Sequence, residues 1–358
     1  MYIIWYMIKK VAIVGGGIFG VTTAIILSQN GFFVDLFEQD YDILTHASGI
    51  NQYRVHRGYH YPRSSETILT CLNGEIEFRK MFEDAILDDG IEHYYCIAKE
   101  GSKISGNDCK VVFDKYGLEY EEADSGIVNQ NEISFSAKVI EYLFHIDVLK
   151  NMCWYNLLKH KVNVLLNEKV CYSDLVDYDL IVVATYCDNN TFLMNYENTQ
   201  KDYQFEVCEK LILKLPYKYD KKSVVILDGA FMCIDPYKRT SFHAMGNVTH
   251  AIHQTTVGKY IDIDDKYKNL LNRGLIYNPS FTNYNQFIES ALKYFPGIDQ
   301  AKHIGSMFTI RTVLPFHDHD DSRPTIVEQI SNKLVTIFSG KIPTCVDAAN
   351  QVLRIANK

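Results

Sequence analysis

Residues 11–20, Val-Ala-Ile-Val-Gly-Gly-Gly-Ile-Phe-Gly, join a short apolar strand to an apolar helix through glycines at fixed offsets. Gly15, Gly17 and Gly20 form the pattern GxGxxG. The first glycine permits a tight turn, the second lets a pyrophosphate approach the backbone, and the third lets the helix pack closely on the sheet. The N-terminus of that helix, at Ile18 and Phe19, would face the phosphates. The stretch therefore predicts a dinucleotide-binding site.

A second strand follows at residues 33–37 and ends at Glu38. An acidic residue about 20 residues beyond the glycines is the usual partner of the ribose hydroxyls. A glycine turn alone is weak, because such turns between strand and helix are common. Strand, glycines, helix, strand and acid in this order predict a Rossmann-type parallel sheet.

Composition excludes several classes of protein. The chain has 358 residues, 47% of them hydrophobic and 22% charged, which is typical of a globular protein with two domains. A net charge of -8 without a lysine or arginine run argues against nucleic-acid or anionic-membrane partners. Nine cysteines without a CxxC pair favour reduced thiols and a cytoplasmic location. The apolar residues 1–7 are too short to span a bilayer and lack a signal-peptide cleavage site.

A polar loop after the second strand carries the next signal. It contains His46-Ala-Ser48-Gly49 and then Val-His56-Arg-Gly-Tyr-His60-Tyr-Pro-Arg-Ser. Together with the glycines and Glu38, these motifs resemble the flavin-dependent oxidoreductases of the D-amino acid oxidase (DAO) superfamily, especially the L-2-hydroxyglutarate dehydrogenase-like branch. The resemblance implies that the dinucleotide is FAD.

The same resemblance assigns roles to this loop. Ser48 and Gly49 would lie against the flavin, with His56 and His60 near its ring. In related sarcosine dehydrogenases a histidine at the place of His46 carries the flavin covalently, whereas hydroxyglutarate-type relatives lack the bond. We expect non-covalent FAD. The alternative for the whole loop is a solvated connector whose rings bond only to their neighbours.

The apolar run at residues 178–185 resembles the strand near the end of the superfamily's flavin domain. There a small-Thr-Gly element packs on the adenosine, so Thr185 becomes a candidate cofactor contact. Tyr186 stands where glycine is usual. We therefore expect a changed turn at this position.

The C-terminal part resembles the elements that close the family's active site. Residues 304–315 match the strand whose arginine binds the substrate carboxylate, which makes Arg311 the first choice and Arg54 and Arg57 the reserves. The turn with Gly340, Lys341 and Ile342 precedes a helix whose N-terminus would face the flavin carbonyl. The histidines and aspartates at 317–321 match no metal-site spacing, so we expect no metal.

The fold class we predict is α/β, with a parallel-sheet Rossmann-type FAD-binding domain interleaved with a mixed, largely antiparallel-sheet substrate domain. The FAD-binding domain would comprise residues 1–89, 144–199 and 301–358. The substrate domain would comprise residues 90–143 and 200–300.

The chemistry implied is hydride removal from a carbon that bears an amine or a hydroxyl group of a small, anionic substrate. His56 or His60, with an ordinary pKa near 6.5, would act as the base for an alcohol. Oxygen or a quinone would accept the electrons, and no membrane span is expected. The alternatives are a nicotinamide-dependent dehydrogenase and a non-catalytic flavin-binding protein.

Overall fold

The computed structural model describes residues 9–229, 231–316 and 322–358. This part of the chain forms an α/β fold built on two large sheets, which confirms the predicted fold class. Residues 1–7, which we expect to be too short to span a bilayer, lie outside the described residues. In chain order the strands are β1 Lys10–Val14, β2 Phe33–Glu38, β3 Arg54–Val55, β4 Ile86–Leu87, β5 Glu92–Ala98, β6 Tyr120–Glu122, β7 Ile133–Val139, β8 Tyr142–Phe144, β9 Asn163–Leu166, β10 Leu180–Val183, β11 Tyr203–Lys214, β12 Lys222–Leu227, β13 Met232–Pro236, β14 His243–Asn247, β15 Ile252–Gly258, β16 Lys302–Val313, β17 Ile326–Gln329 and β18 Leu334–Phe338.

The six-stranded sheet has the order β17-β18-β10-β1-β2-β9. Its neighbours are parallel except for the pair β17 and β18. The central strand β1 is an apolar run because helices and loops cover both faces of a parallel sheet. The sheet thus brings the ends of β1, β2 and β10 to one edge, where a dinucleotide binds in open α/β sheets.

Helices cover this sheet and complete its core. Residues 18–27 of the first helix are all buried, because the last helix and the middle helix at Ile146–Lys159 pack against it. The helices are α1 Ile18–Gln29, α2 Ser65–Met81, α3 Gly106–Tyr116, α4 Ile146–Lys159, α5 Asp265–Lys268, α6 Tyr284–Ala291 and α7 Cys345–Ala356. Short 3-10 turns lie at Glu83–Ala85, Gln130–Glu132, Tyr172–Leu175, Tyr186–Thr199, Tyr217–Tyr219, Ile298–Gln300 and Ile342–Thr344.

The nine-stranded sheet has the order β15-β11-β14-β13-β12-β5-β7-β6, and β16 pairs with β11 along its length. It is largely antiparallel, with one parallel pair between β12 and β5. A third, small sheet joins β3, β8 and β4. No helix in the described ranges is long and apolar enough to cross a membrane.

One stretch departs from the predicted division into domains. Strand β16 was placed with the FAD-binding domain, but it pairs with β11 in the nine-stranded sheet. The pairing is a tertiary contact, which the sequence resemblance to a site-closing strand did not reveal. The remaining boundaries stay a prediction.

Candidate active site

A cavity of about 670 Å³ opens between the two large sheets. On one side it is bounded by the ends of β1 and β2 and by the residues that follow β10 and β18. On the other side it is bounded by β11, β12, β14 and β16. The wall contains the predicted residues Gly15, Gly17, Ile18, Phe19, Glu38, His46, Ser48, His56, His60, Thr185, Arg311, Gly340, Lys341 and Ile342.

Gly20 and Gly49, which were also predicted to bind the cofactor, stand behind this wall. A Cβ atom at Gly20 would lie 1.9 Å from the Gly15 carbonyl oxygen. A Cβ atom at Gly49 would lie 2.2 Å from the Leu44 carbonyl oxygen. Both glycines therefore permit close backbone packing beneath the site and do not line it.

The glycine turn has the shape expected for phosphate binding. Gly15 has a φ of +107°, and a Cβ there would lie 2.6 Å from the carbonyl oxygen of Ala184. At Gly17, by contrast, the closest described atom to a Cβ is the Ser48 Oγ at 3.3 Å. Ile18 N–H, the first of helix α1, donates to the same Ser48 Oγ at 3.0 Å. A residue without a side chain at Gly17, beside a helix N-terminus, lets a pyrophosphate approach the backbone.

Glu38 is held at the end of β2 by two backbone bonds. Gly16 N–H donates to its Oε2 at 2.6 Å, and Asp40 N–H donates to its Oε1 at 2.9 Å. A carboxylate oxygen can accept more than one hydrogen bond, so Glu38 can still accept hydrogen bonds from a ligand in the cavity. That arrangement fits the ribose hydroxyls of a dinucleotide.

His46 lies in the wall with its Nε2 atom 2.7 Å from Asp40 Oδ2. The Thr45 hydroxyl donates to the same Asp40 oxygen at 2.7 Å. The imidazole is thus oriented by a carboxylate on its own loop. Whether a flavin is attached to it covalently stays a prediction.

Three rings and a lysine form a cluster in the wall. The ring centroids of His56 and His60 are 5.2 Å apart, and Tyr61 lies 5.6 Å and 5.1 Å from them respectively. The ammonium of Lys341 lies 4.6 Å from the centre of the Tyr61 ring. The loop of β3 and the turn before α7, far apart in sequence, therefore meet at this point of the cavity.

Burial changes the expected acid-base behaviour of these histidines. Desolvation lowers the pKa of His56 to about 4, although Glu141 opposes the shift. Desolvation also lowers the pKa of His60 well below its usual value, and His56 and Lys341 lower it further. The pKa values of both rings in the fold therefore lie below the unperturbed value near 6.5. Each is neutral at pH 7, as a general base requires.

Beneath His56 lies a buried ionic network that the sequence reasoning missed. Arg54 donates to Glu141 Oε2 at 2.5 Å and to Asp235 Oδ1 at 2.6 Å. It also donates to the Ser223 hydroxyl at 2.7 Å. Glu141 Oε1 lies 3.6 Å from His56 Nδ1. No local pattern marks these carboxylates, because they come from β13 and the turn before β8.

This network corrects the two reserve choices for a substrate anchor. Arg54 lines the cavity but is only 4% exposed, and its nitrogens donate to residues of the protein. Arg57 does not line the cavity; its Nε lies 3.7 Å from Glu75 and it donates to the Ile140 carbonyl oxygen at 3.3 Å. Neither arginine is therefore as well placed as Arg311 to bind a substrate anion.

Arg311, the first choice, lies in the cavity wall on β16. Its Nε donates to Glu206 on β11, a carboxylate that is 2% exposed. Its two terminal nitrogens make no hydrogen bond to any described residue. Burial raises the pKa of Glu206, but Arg311 outweighs it and the pKa is lowered. Glu206 thus offsets the charge of Arg311, and the two terminal nitrogens of the guanidinium remain able to donate to a ligand.

The turn after β10 contains Tyr186 at the position where glycine is usual. Thr185 donates from its backbone and its hydroxyl to Asn189 Oδ1, at 3.1 Å and 2.9 Å. Tyr186 has a φ of +60°, in the region that favours glycine. Its hydroxyl donates to the Thr312 carbonyl oxygen at 2.8 Å and accepts from the Thr312 N–H at 2.9 Å. The phenol therefore ties this turn to the strand that carries Arg311.

The residues at 317–321, for which we expected no metal role, lie outside the described residues. Among residues 9–229, 231–316 and 322–358, no group of three histidine, cysteine, aspartate or glutamate side chains is placed to hold a metal ion.

Comparison with known sequences points to one family. Residues 10–105 match the family described as DAO, FAD dependent oxidoreductase. Over 97% of its length the chain is 23% identical to an FAD-dependent monooxygenase of Fusarium mangiferae, of which it covers 90%. It is 24% identical, also over 97% of its length, to an FAD-dependent monooxygenase of Aspergillus flavus, of which it covers 86%.

Solved structures share the fold. Glycine oxidase from Geobacillus kaustophilus superimposes with a TM-score of 0.72 at 15% identity, covering 98% of this chain and 95% of that one. L-proline dehydrogenase from P. horikoshii gives 0.68 at 12% identity, covering 97% and 94%. L-alpha-glycerophosphate oxidase from Mycoplasma pneumoniae, with FAD bound, gives 0.68 at 14% identity, covering 98% and 95%.

Proposed function

We propose that this chain, an FAD-dependent oxidoreductase of the DAO type, removes a hydride from a carbon bearing an amine or a hydroxyl group of a small anionic substrate. The observation that carries the proposal is the composition of one cavity. Its wall holds the glycine turn and Glu38 together with His56, His60, Lys341 and Arg311. A dinucleotide site and a set of acid-base and cationic groups thus share one space.

FAD is the cofactor, and when bound it supplies the hydride acceptor. Gly17, the N-terminus of α1 and Glu38 would hold its phosphates and ribose. Thr185 and the turn of Gly340, Lys341 and Ile342 are further proposed contacts.

The protein's own residues bind and orient the substrate. We assign Arg311 to the anionic group, through its two terminal nitrogens. His56 or His60, neutral at pH 7, would take the proton from a hydroxyl group. An amine substrate that binds as the free base needs no such step.

The finer assignments extend this proposal. The motif at residues 55–64 supports the L-2-hydroxyglutarate dehydrogenase-like branch. Oxygen or a quinone is proposed as the electron acceptor, and the cytoplasm as the location. The full-length similarity to named monooxygenases supports a second candidate, in which the flavin is reduced by a nicotinamide and oxygen is transferred to the substrate.

Anaerobic flavin reduction tests these alternatives. The purified protein is mixed with a panel of amino acids, N-methyl amino acids and 2-hydroxy acids, and separately with NADPH and NADH, while the flavin absorbance is followed. Bleaching by a panel member without nicotinamide supports the proposal. Bleaching by a nicotinamide alone supports the monooxygenase, and a flavin that no compound reduces supports the non-catalytic alternative.

A further inference from the structure

Lys210 lies on the face of the nine-stranded sheet that forms one wall of the cavity. Along a strand, alternate residues share a face, so Cys208 and Lys210 point the same way, about 7 Å apart. Both residues line the cavity, and the lysine is half-buried. No sequence pattern marks this lysine, because one lysine in an alternating strand resembles any solvent-facing residue.

The neighbours of Lys210 in the sheet include two thiols. Leu211 pairs with Met245 on β14, which puts Lys210 beside Gly246. The side chain of Gln52 and the sulfur of Cys233 fill the space above Gly246, where a Cβ would lie 2.9 Å and 3.1 Å from them. Burial raises the pKa values of the Cys208 and Cys233 thiols, and the positive charge of Lys210 lowers both. Lys210 therefore shares the cavity wall with two thiols and an amide, none of which carries a counter-charge.

The charges around the cavity distinguish Lys210 from the arginines. Arg54 is paired with Glu141 and Asp235, Arg63 with Asp228, and Arg311 with Glu206. Lys210 makes no ion pair or hydrogen bond with any residue in the described ranges. A half-buried ammonium without a counter-charge can form a charge-assisted hydrogen bond to an anionic ligand.

The net charge of this part of the sheet then indicates the ligand. Glu206 and Lys210 lie on the same face of β11, about 13 Å apart along the strand. Arg311 is directly opposite Glu206 on β16. Within this part of the sheet, Glu206 offsets the charge of Arg311, so the charge of Lys210 remains. Lys341, beside Tyr61 on the opposite side of the cavity, is a second cation of the wall. One negative charge on the ligand would balance the charge of Lys210.

We propose that Lys210 is a specificity-determining residue, whose ammonium binds the anionic group of a monocarboxylate substrate. Arg311 orients the same group through its terminal nitrogens, and Lys210 supplies the attractive charge. This inference rests on the proposed function only in taking the bound anion to be the substrate.

Binding of a simple anion tests the role of Lys210. The FAD-loaded protein is titrated with benzoate and with its uncharged analogue benzamide, and binding is read from the flavin absorbance. In Lys210→Met we expect benzoate binding to weaken about 10- to 100-fold, the scale of one charge-assisted hydrogen bond, with benzamide unaffected. Lys210→Arg should recover most of the benzoate affinity. Lys214→Met, at an exposed position of the same strand, is the matched control and should change neither.

The inference would be overturned by unchanged benzoate binding in Lys210→Met, by equal losses for benzoate and benzamide, or by a wild-type protein that binds neither. If the first result came with a shifted flavin reduction potential, the ammonium would instead act on the cofactor. If benzoate binding depends on Lys210 while no substrate reduces the flavin, the proposed oxidation fails and the anion site stands.

Discussion

Arg311 donates from its Nε to the carboxylate of Glu206, directly across the pairing of β16 with β11. A guanidinium that is paired with a buried carboxylate has two roles, because it can bind the substrate and it also offsets the charge of the carboxylate. Removing it loses two possible donors to substrate and also uncovers a negative charge beneath the cavity. The two effects can be separated.

Arg311→Ala is expected to weaken substrate binding by about 1.5–3 kcal/mol, the range for a hydrogen bond to a charged group. The double variant Arg311→Ala with Glu206→Gln should regain only the electrostatic part of this loss. Dissociation constants from flavin absorbance titrations give both numbers. Full recovery in the double variant would mean that Arg311 merely neutralises Glu206, and loss of flavin from Arg311→Ala would make it structural.

Gly17→Val should abolish FAD binding, because its side chain would project where the pyrophosphate approaches the helix N-terminus. Within the protein, the closest described atom to the first carbon of that side chain would be the Ser48 Oγ at 3.3 Å, a tight contact that a small shift of the serine side chain would relieve. The flavin-to-protein absorbance ratio after purification measures the effect. Gly258→Val is the control, because a Cβ at Gly258 meets no described atom within 4 Å. Full flavin content in Gly17→Val would sink the pyrophosphate assignment.

The pH dependence of flavin reduction should reveal the depressed pKa of His56. A base must be neutral to work, so its activity persists above its pKa and is lost as the pH falls through it. With a pKa lowered to about 4, the rate should stay level from pH 7 to about pH 5 and fall only below that. Stopped-flow reduction of the wild type and His56→Ala gives the comparison. A wild-type rate that already falls near pH 6.5, or the same fall at acidic pH in His56→Ala, would contradict the assignment of His56 as the base.

Acid denaturation should release free FAD, because we expect the cofactor to be bound without a covalent bond to His46. The imidazole Nε2 is already in contact with Asp40. After precipitation the flavin absorbance of supernatant and pellet decides the matter. Flavin that stays with the precipitated chain would show a covalent bond, and its release by His46→Ala would identify the residue that carries it.

Arg54→Met should destabilise the protein strongly, since Glu141 and Asp235 would remain buried without their counter-ion. Breaking a buried ion pair by removing one partner costs about 3–5 kcal/mol in the free energy of unfolding. Arg57→Met is the control, because that guanidinium lies nearer the surface and should cost about 1 kcal/mol or less. Urea unfolding of the two variants makes the comparison. If both variants lost the same free energy of unfolding, the buried network of Arg54 would contribute no more to stability than the ion pair of Arg57.

The cofactor half of the site could be predicted from sequence because its signals are local. Gly15, Gly17 and Glu38 follow a strand at fixed spacing, and backbone geometry forces them to one edge of the sheet. The loop with His56 and His60 was also found, since both lie in one dense motif. All residues predicted to bind the cofactor, except Gly20 and Gly49, line the cavity.

The partners of these residues could not be predicted. Asp235 and Glu206 lie in ordinary strands and Glu141 lies in a turn, and only packing decides which arginine each carboxylate meets. For the same reason the sequence did not show that Arg54 is used up inside the protein. The pKa values of His56 and His60 depend on burial, which no spacing reveals.

The cavity between the two sheets links the stability of the fold to its cofactor. The two large sheets face each other across about 670 Å³, and apolar side chains such as Phe19 and Ile337 form part of the wall. A molecule that binds only the folded chain stabilises it in proportion to the logarithm of its free concentration. FAD bound between the sheets should therefore raise the free energy of unfolding by an amount that grows with the concentration of free FAD.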